Sequence, residues 1–255
     1  LLEVLRTAPS VQAAVLVTSD KAYRNVEWVW GYRETDELGG EDPYSGSKGC
    51  AELIFRSYQA SFFRPAPGVP VLATARAGNV IGGGDWAEDR IVPDCVRAWA
   101  RGEAVELRNP SSTRPWQHVL EPLSGYLDLG AGLLAGETRL VGESYNFGPD
   151  AAVDAPVSAL IEAFGRKWPA ARYTVDPSSL ASRPESRLLK LSCDKALADL
   201  AWRPTLSFAE TVEMTSAWYQ AFLEGGAPAA AALTATQIRA YEASARARGI
   251  RWATA

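Results

Sequence analysis

Two short apolar runs frame one long amphipathic stretch in the first third of the chain. Residues 11–17 read VQAAVLV and residues 69–77 read VPVLATARA, and neither sustains an apolar/polar alternation. A strand with one wet face alternates, whereas a strand covered on both faces does not. Between the runs, Ala51, Ile54, Phe55, Tyr58 and Phe62 recur at helical spacing, and Pro65, Pro67 and Gly68 end the pattern. Strand, helix, strand in that order predicts a βαβ unit and a parallel sheet, so the expected class is α/β.

Beyond residue 90 the pattern changes. Helices are expected over 1–6, 91–101, 120–134, 157–168 and 208–223, and short strands over 104–107 and 144–147. Pro-rich loops among these elements suggest a smaller α+β lobe. The expected division is 1–90 for the sheet domain with some strands returning later, 91–225 mostly for the lobe, and 226–255 for a linker and a terminal helix. The linker is placed at the low-complexity stretch 227–232, with Ile238, Tyr241 and Ala245 on one face of the helix that follows.

Composition excludes several classes. With 47% hydrophobic and 22% charged residues among 255, the chain is neither disordered nor a disulfide scaffold. Lys and Arg number 26 against 30 Asp and Glu, so the basic excess of a general nucleic-acid binder is missing, although a local basic pocket stays open. Cys50, Cys95 and Cys193 are odd in number and lack ligand spacing, which argues against zinc and for reduced thiols in a cytoplasm. No apolar run is long enough for a transmembrane helix, and Leu1-Leu2-Glu3 lacks a signal-peptide layout. The only Met is Met214, so the chain is expected to be part of something longer.

Four groupings carry chemistry. Tyr44 and Lys48 stand four apart at a helix start, on one face, where an ammonium stabilises a phenolate that can act as a general base. Read blandly, they are an exposed Tyr and Lys. Thr18, Ser19, Asp20 and Lys21 end the first strand, where ligands bind in open α/β sheets; Ser19 suits a reacting hydroxyl, and Asp20 with Lys21 suits an acid/base pair. A solvated ion pair is the alternative. Ala77, Gly78, Asn79 and Val80 end the second strand, where small residues admit a flat ligand or simply turn the chain. Arg90, Arg97, Arg108, Arg114 and Arg187 could hold a pyrophosphate-sized anion or lie on solvated faces. His118, the single histidine, reads as structural, and no GxSxG supports a hydrolase.

Together these stretches resemble the extended short-chain dehydrogenase/reductases that act on nucleotide sugars, most of all the CDP-glucose 4,6-dehydratases. The likeness rests on TSDKAY at 18–23, EWVWGYRE at 27–34, DPYSGSK at 42–48, ARAGNVIGGGDW at 75–86, RIVPD at 90–94, LRNP at 107–110, RPWQHV at 114–119 and NFGP at 146–149. It covers roughly residues 1 to 225. It implies a Rossmann-type sheet with a smaller substrate-binding lobe, NAD as cofactor, a nucleotide-sugar substrate (CDP-glucose) and a homodimer. Tyr44 with Lys48 would take the 4-hydroxyl proton, Ser19 would hold that hydroxyl, Lys21 would remove the C5 proton and Asp20 would protonate the leaving 6-hydroxyl. Tyr44, Lys48, Ala77, Asn79 and Val80 would face NAD; Asn79, Arg90, Arg108, Arg114 and Arg187 would hold the sugar nucleotide. The resemblance also implies a Gly-rich dinucleotide turn, which is absent, and on the order of a hundred preceding residues, about three βα units. A related epimerase, a dTDP- or UDP-glucose dehydratase, and a non-catalytic binding module remain the alternatives.

Overall fold

The computed structural model describes residues 1–107, 109–150, 153, 155–169, 171–175 and 188–254. Along the chain run α1 (Leu2–Arg6), β1 (Ala13–Val17), α2 (Pro43–Phe62), β2 (Val71–Ala77), β3 (Val80–Ile81), α3 (Ile91–Ala100), β4 (Val105–Leu107), β5 (Thr113–Arg114), β6 (Gln117–His118), α4 (Leu120–Leu134), β7 (Ser144–Phe147), β8 (Ala155–Pro156), α5 (Val157–Gly165) and β9 (Tyr173–Val175). Two further helices, Asp194–Leu200 and Phe208–Ala247, precede a last turn at Arg251–Thr254.

β1, α2 and β2 form the expected βαβ unit. β1 pairs in parallel with β2, from Ala13 opposite Val71 to Val17 opposite Ala75. β7 adds to the other side of β2, also in parallel, with Thr74 opposite Ser144 and Ala77 opposite Phe147. Period two splits β2 between two cores. Leu72 packs with Phe55 and Phe63 toward α2, while Ala73 and Ala75 pack with Leu129 and Leu133 of α4. Each Leu or Phe so buried contributes about 1.5–3 kcal/mol relative to exposure. Coverage on both faces is why residues 69–77 do not alternate; β1 departs from the expectation, being only half-buried along its length and exposed at Val17.

α2 starts where local chemistry starts it. The Asp42 side chain accepts from the Ser45 amide at 3.0 Å, and Pro43 occupies the first turn, where its missing N–H costs nothing. Gly49 lets the helix sit close: a Cβ there would fall 2.9 Å from the Gly39 nitrogen. The lobe has its own core, in which Val92, Val96 and Trp99 of α3 meet Leu160, Ile161 and Phe164 of α5 and Val212 and Tyr219 of the long helix. Its strands are two- and three-residue pairs: β3 with β6, β4 with β9, β5 with β8. Strands so short carry no readable period, and only β4 was foreseen.

One expectation is overturned. Residues 227–232 are not a linker but helix, within Phe208–Ala247. A run of alanines is the strongest helix former, and low complexity hid that propensity. The real break is Gly226, at φ 66° and ψ −160°. Past it the chain folds back. Trp218 Nε1 donates to Thr234 Oγ1 at 2.8 Å and Gln237 Nε2 to the Met214 carbonyl at 2.7 Å. Tyr241 Oη then donates to Glu121 Oε2 at 2.9 Å, locking the terminal helix onto α4. The helix expected over 157–168 also stops early, at Gly165. Among the described residues no helix is long and apolar enough to cross a membrane.

Candidate active site

A cleft of about 620 Å³ opens at the carboxyl ends of β1 and β2. Ser19, Asp20 and Lys21 enter it after β1, and Ala77, Gly78, Asn79 and Val80 after β2. Tyr44 enters from the first turn of α2, Arg90 from the residue before α3, and Arg114 from β5. The lining residues run from Val17 to Tyr219, so segments far apart in sequence share one space. Lys48 stands behind Tyr44 rather than in the wall, with its ammonium 5.6 Å from the centroid of the Tyr44 ring. Arg108 and Arg187 lie outside the described residues. Arg97 does not reach the cleft: it pairs with Asp94 and donates to the Trp86 carbonyl at 2.8 Å.

The turn after β1 is built by Ser19. Its hydroxyl accepts from the Lys21 amide at 3.2 Å, starting the 3₁₀ turn Asp20–Ala22, and donates to Asp20 Oδ1 at 3.0 Å. Asp20 is only 4% exposed, and its Oδ2 is buried with no hydrogen-bond partner. Burial pushes this carboxyl above its ordinary range, against the opposing pull of Lys21 and Ser19. Gly78 is small for a reason: a Cβ there would come within 3.2 Å of Asp20 Oδ2 and 3.1 Å of the Pro115 ring. The arrangement places a carboxyl biased toward its protonated form, a half-buried amine and an exposed phenol around one space. That set can donate a proton, remove one from carbon and remove one from a hydroxyl.

His118 is buried and does not line the cleft. Its Nδ1 accepts from the Leu120 amide at 3.3 Å, and burial lowers its pKa to about 4, so it is neutral. Tyr126 of α4, by contrast, lines the cleft unforeseen. Its ring packs edge-on against Phe147, centroids 5.6 Å apart, and burial pushes its hydroxyl up to about 12. Within an apolar helical stripe nothing local marks Tyr126 as different from its Leu neighbours. Among the described residues no His, Cys, Asp and Glu side chains cluster as a metal site.

No protein-family model matches the chain. A CDP-glucose 4,6-dehydratase of Salmonella typhimurium is 44% identical over 230 residues, covering 88% of this chain and 63% of the relative. A dTDP-glucose 4,6-dehydratase of Streptomyces antibioticus is 31% identical over 210 residues, covering 81% and 57%. The chain therefore spans less than two thirds of the length of these relatives. Among solved structures, a dTDP-glucose 4,6-dehydratase from Bacillus anthracis in complex with NAD superposes with a TM-score of 0.68 at 20% identity, covering 89% of this chain and 68% of that one. A UDP-glucuronic acid 4-epimerase from Bacillus cereus, in complex with UDP-glucuronic acid and NAD, superposes with a TM-score of 0.69 at 15% identity, covering 86% and 65%. Over most of its length the chain is a homologue of CDP-glucose 4,6-dehydratase, built on the Rossmann-type α/β fold of the nucleotide-sugar dehydratases and epimerases.

Proposed function

We propose that this chain carries the catalytic and sugar-binding part of an NAD-dependent CDP-glucose 4,6-dehydratase. The observation that carries the reading is Asp20: a buried carboxyl with one unpartnered oxygen, placed beside Lys21 in the cleft that Tyr44 enters. An enzyme that only oxidised and reduced one carbon would need Tyr44 alone. Eliminating water needs an acid and a base besides.

The residues fit the nicotinamide end of a dinucleotide. Tyr44 is 55% exposed and lines the cleft, Lys48 backs it, and Gly78 keeps side-chain atoms out of the corner between Asp20 and Pro115. Among the described residues no Gly-rich turn passes straight from strand into helix to cradle a pyrophosphate, because Gly82, Gly83 and Gly84 lead into loop and Gly83 abuts the Trp218 ring. When bound, NAD supplies a hydride acceptor for C4 and later a hydride donor for C6. Tyr44, supported by Lys48, takes the proton of the 4-hydroxyl, and Ser19 orients that hydroxyl. The 4-keto group acidifies the C5–H bond. Lys21 accepts the C5 proton as Asp20 gives its own proton to the departing 6-hydroxyl, and water leaves. No net oxidation occurs. Asn79, Arg90 and Arg114 line the space for the sugar nucleotide, with Arg108 and Arg187 assigned to the same task by resemblance.

A cytoplasmic homodimer completes the reading. Free thiols at Cys50, Cys95 and Cys193 support a reducing compartment, and exposed Leu53 and Ile54 on α2 support a partner surface. The test is incubation with NAD and, in turn, CDP-, dTDP- and UDP-glucose, following loss of one water by mass. CDP-glucose is expected to react first, and Tyr44→Phe to lower turnover by about 10²–10⁴-fold with nucleotide binding retained. Dehydration that survives in Tyr44→Phe removes the base from its role; equal turnover of all three sugars removes the CDP assignment.

A further inference from the structure

We propose that the buried Glu52–Arg76 ion pair is a positioning unit that holds the turn at residues 19–22 in register with the helix bearing Tyr44 and Lys48. The proposal rests on the reading of those residues as the reacting groups. Both side chains are 0% exposed. Arg76 Nε donates to Glu52 Oε1 at 2.9 Å and Nη2 to Oε2 at 2.8 Å, a two-point fork between β2 and α2.

Part of the pair's remaining bonding capacity goes to both ends of the turn, and the rest goes to Thr74 of β2, Ser144 of β7 and the Glu34 carbonyl. Glu52 Oε1 also accepts from Thr18 Oγ1, the residue before Ser19. Arg76 Nη1 donates to Tyr23 Oη at 2.7 Å, the residue after Ala22, and Tyr23 Oη donates onward to Asn146 Oδ1 at 2.8 Å on β7. One ion pair therefore grips the acid/base turn from either side. Glu52 lies one helical turn beyond Lys48 and two beyond Tyr44, on the same face of α2. The Gly39 amide, against which Gly49 seats α2, donates to the Ala22 carbonyl at 2.8 Å. Turn and helix are thus tied at both levels.

Stability alone does not call for this arrangement. A buried ion pair is commonly no more stabilising than apolar side chains of similar volume. What a rigid fork supplies that apolar contacts lack is a fixed distance and angle, and misplacement by about 1 Å can cost on the order of 10²-fold in rate.

The deciding variant is Glu52→Leu combined with Arg76→Met, which removes both charges and leaves neither buried alone. Three readouts are taken: the thermal midpoint, hydrogen exchange at the Lys21, Ala22 and Tyr23 amides, and kcat and KM with CDP-glucose and NAD. The expected result is a retained midpoint, exchange at the turn faster by about tenfold with β7 unchanged, and kcat lower by about tenfold or more with KM little altered. Retained midpoint with unchanged exchange and unchanged kcat overturns the proposal and leaves the pair as structure only. If the unaltered chain turns over no sugar nucleotide, the functional reading fails, and exchange at the turn still decides the positioning. If the double variant does not fold, Tyr23→Phe, which releases the Arg76 grip together with the bond to Asn146 and leaves the Glu52–Arg76 fork in place, is measured in the same way: unchanged exchange and kcat overturn the proposal, and faster exchange with lower kcat supports it.

Discussion

Asp20 lies in the turn after β1 and Glu52 of α2 accepts from Thr18 just before it; both carboxyl groups are withdrawn from water, at 4% and 0% exposure. Burial pushes each upward. At Glu52 the Arg76 fork and the hydroxyls of Thr18 and Thr74 outweigh that push, and its pKa is lowered. At Asp20 the opposing groups are the charge and amide of half-buried Lys21, the Ser19 hydroxyl and the more distant Arg114, and burial wins, so its pKa is raised. Burial does not assign the charge; the number and geometry of donors does. In the proposed function the carboxylate with a full donor shell positions the site, and the one with an unpartnered oxygen is the acid.

The largest expected effect comes from replacing Asp20, the proposed acid. Asp20→Asn should lower turnover by about 10²–10⁴-fold. It should also stabilise the fold at neutral pH. The folded-state value lies above the ordinary 3.8, so the carboxyl's contribution is present below that value and is lost as pH rises through its folded value. Thermal unfolding across pH should show the variant gaining on the parent chain as pH rises. A variant less stable at pH 7 would mean that Asp20 is ionised and satisfied, which erases the contrast with Glu52.

Next is the opposite experiment on Glu52. Glu52→Leu alone strands Arg76 as an unpaired buried cation, and denaturant unfolding should report a loss of about 3–5 kcal/mol. A loss under about 1 kcal/mol would show that Arg76 finds other partners, and the donor-shell argument would fail there.

His118 extends the comparison to a base. It too is buried with one ring nitrogen unpartnered. Its pKa falls from 6.5 to about 4, so its contribution is present above pH 6.5 and is lost as pH falls through 4, about 3 kcal/mol in all. His118→Asn keeps an acceptor for the Leu120 amide and should flatten stability over that window. An unchanged acid limb would assign it to other groups.

The smallest effect is expected where the same two residue types meet in water. Arg24 and Glu37 pair at 3.0 Å with 54% and 67% of their side chains exposed. Arg24→Ala should cost about 0–1 kcal/mol and become silent in high salt. A larger loss would mean that the contrast between buried and exposed pairs is smaller than the fold suggests.

Much of the site was legible because its residues sit at places that local rules identify. Tyr44 and Lys48 follow a capped helix start, and Ser19, Asp20 and Lys21 follow the carboxyl end of a parallel strand. Arg76 was harder to read. It is the one charged residue of a strand covered on both faces, which obliges it to find a carboxylate, and the apolar pattern of 69–77 does not say which one. Arg97 was grouped with the anion-binding arginines but is held by Asp94 and by carbonyls of the loop that precedes α3. The alanine stretch at 227–232 looked like a spacer because its helical propensity has no apolar period to display.

The sequence by itself determined the βαβ frame, the start of α2 and the faces on which Tyr44, Lys48 and Glu52 lie. Caps, turns and hydrophobic periods act over a few residues, so a few residues suffice to read them. Only the tertiary structure decided that Asp20 is biased toward its protonated form, that Glu52 is charged, that His118 is neutral and that Tyr126 reaches the cleft. Those properties depend on desolvation and on partners far along the chain. Glu52 meets Arg76 across 24 residues, Tyr23 meets Asn146 across 123, and no local pattern carries that information.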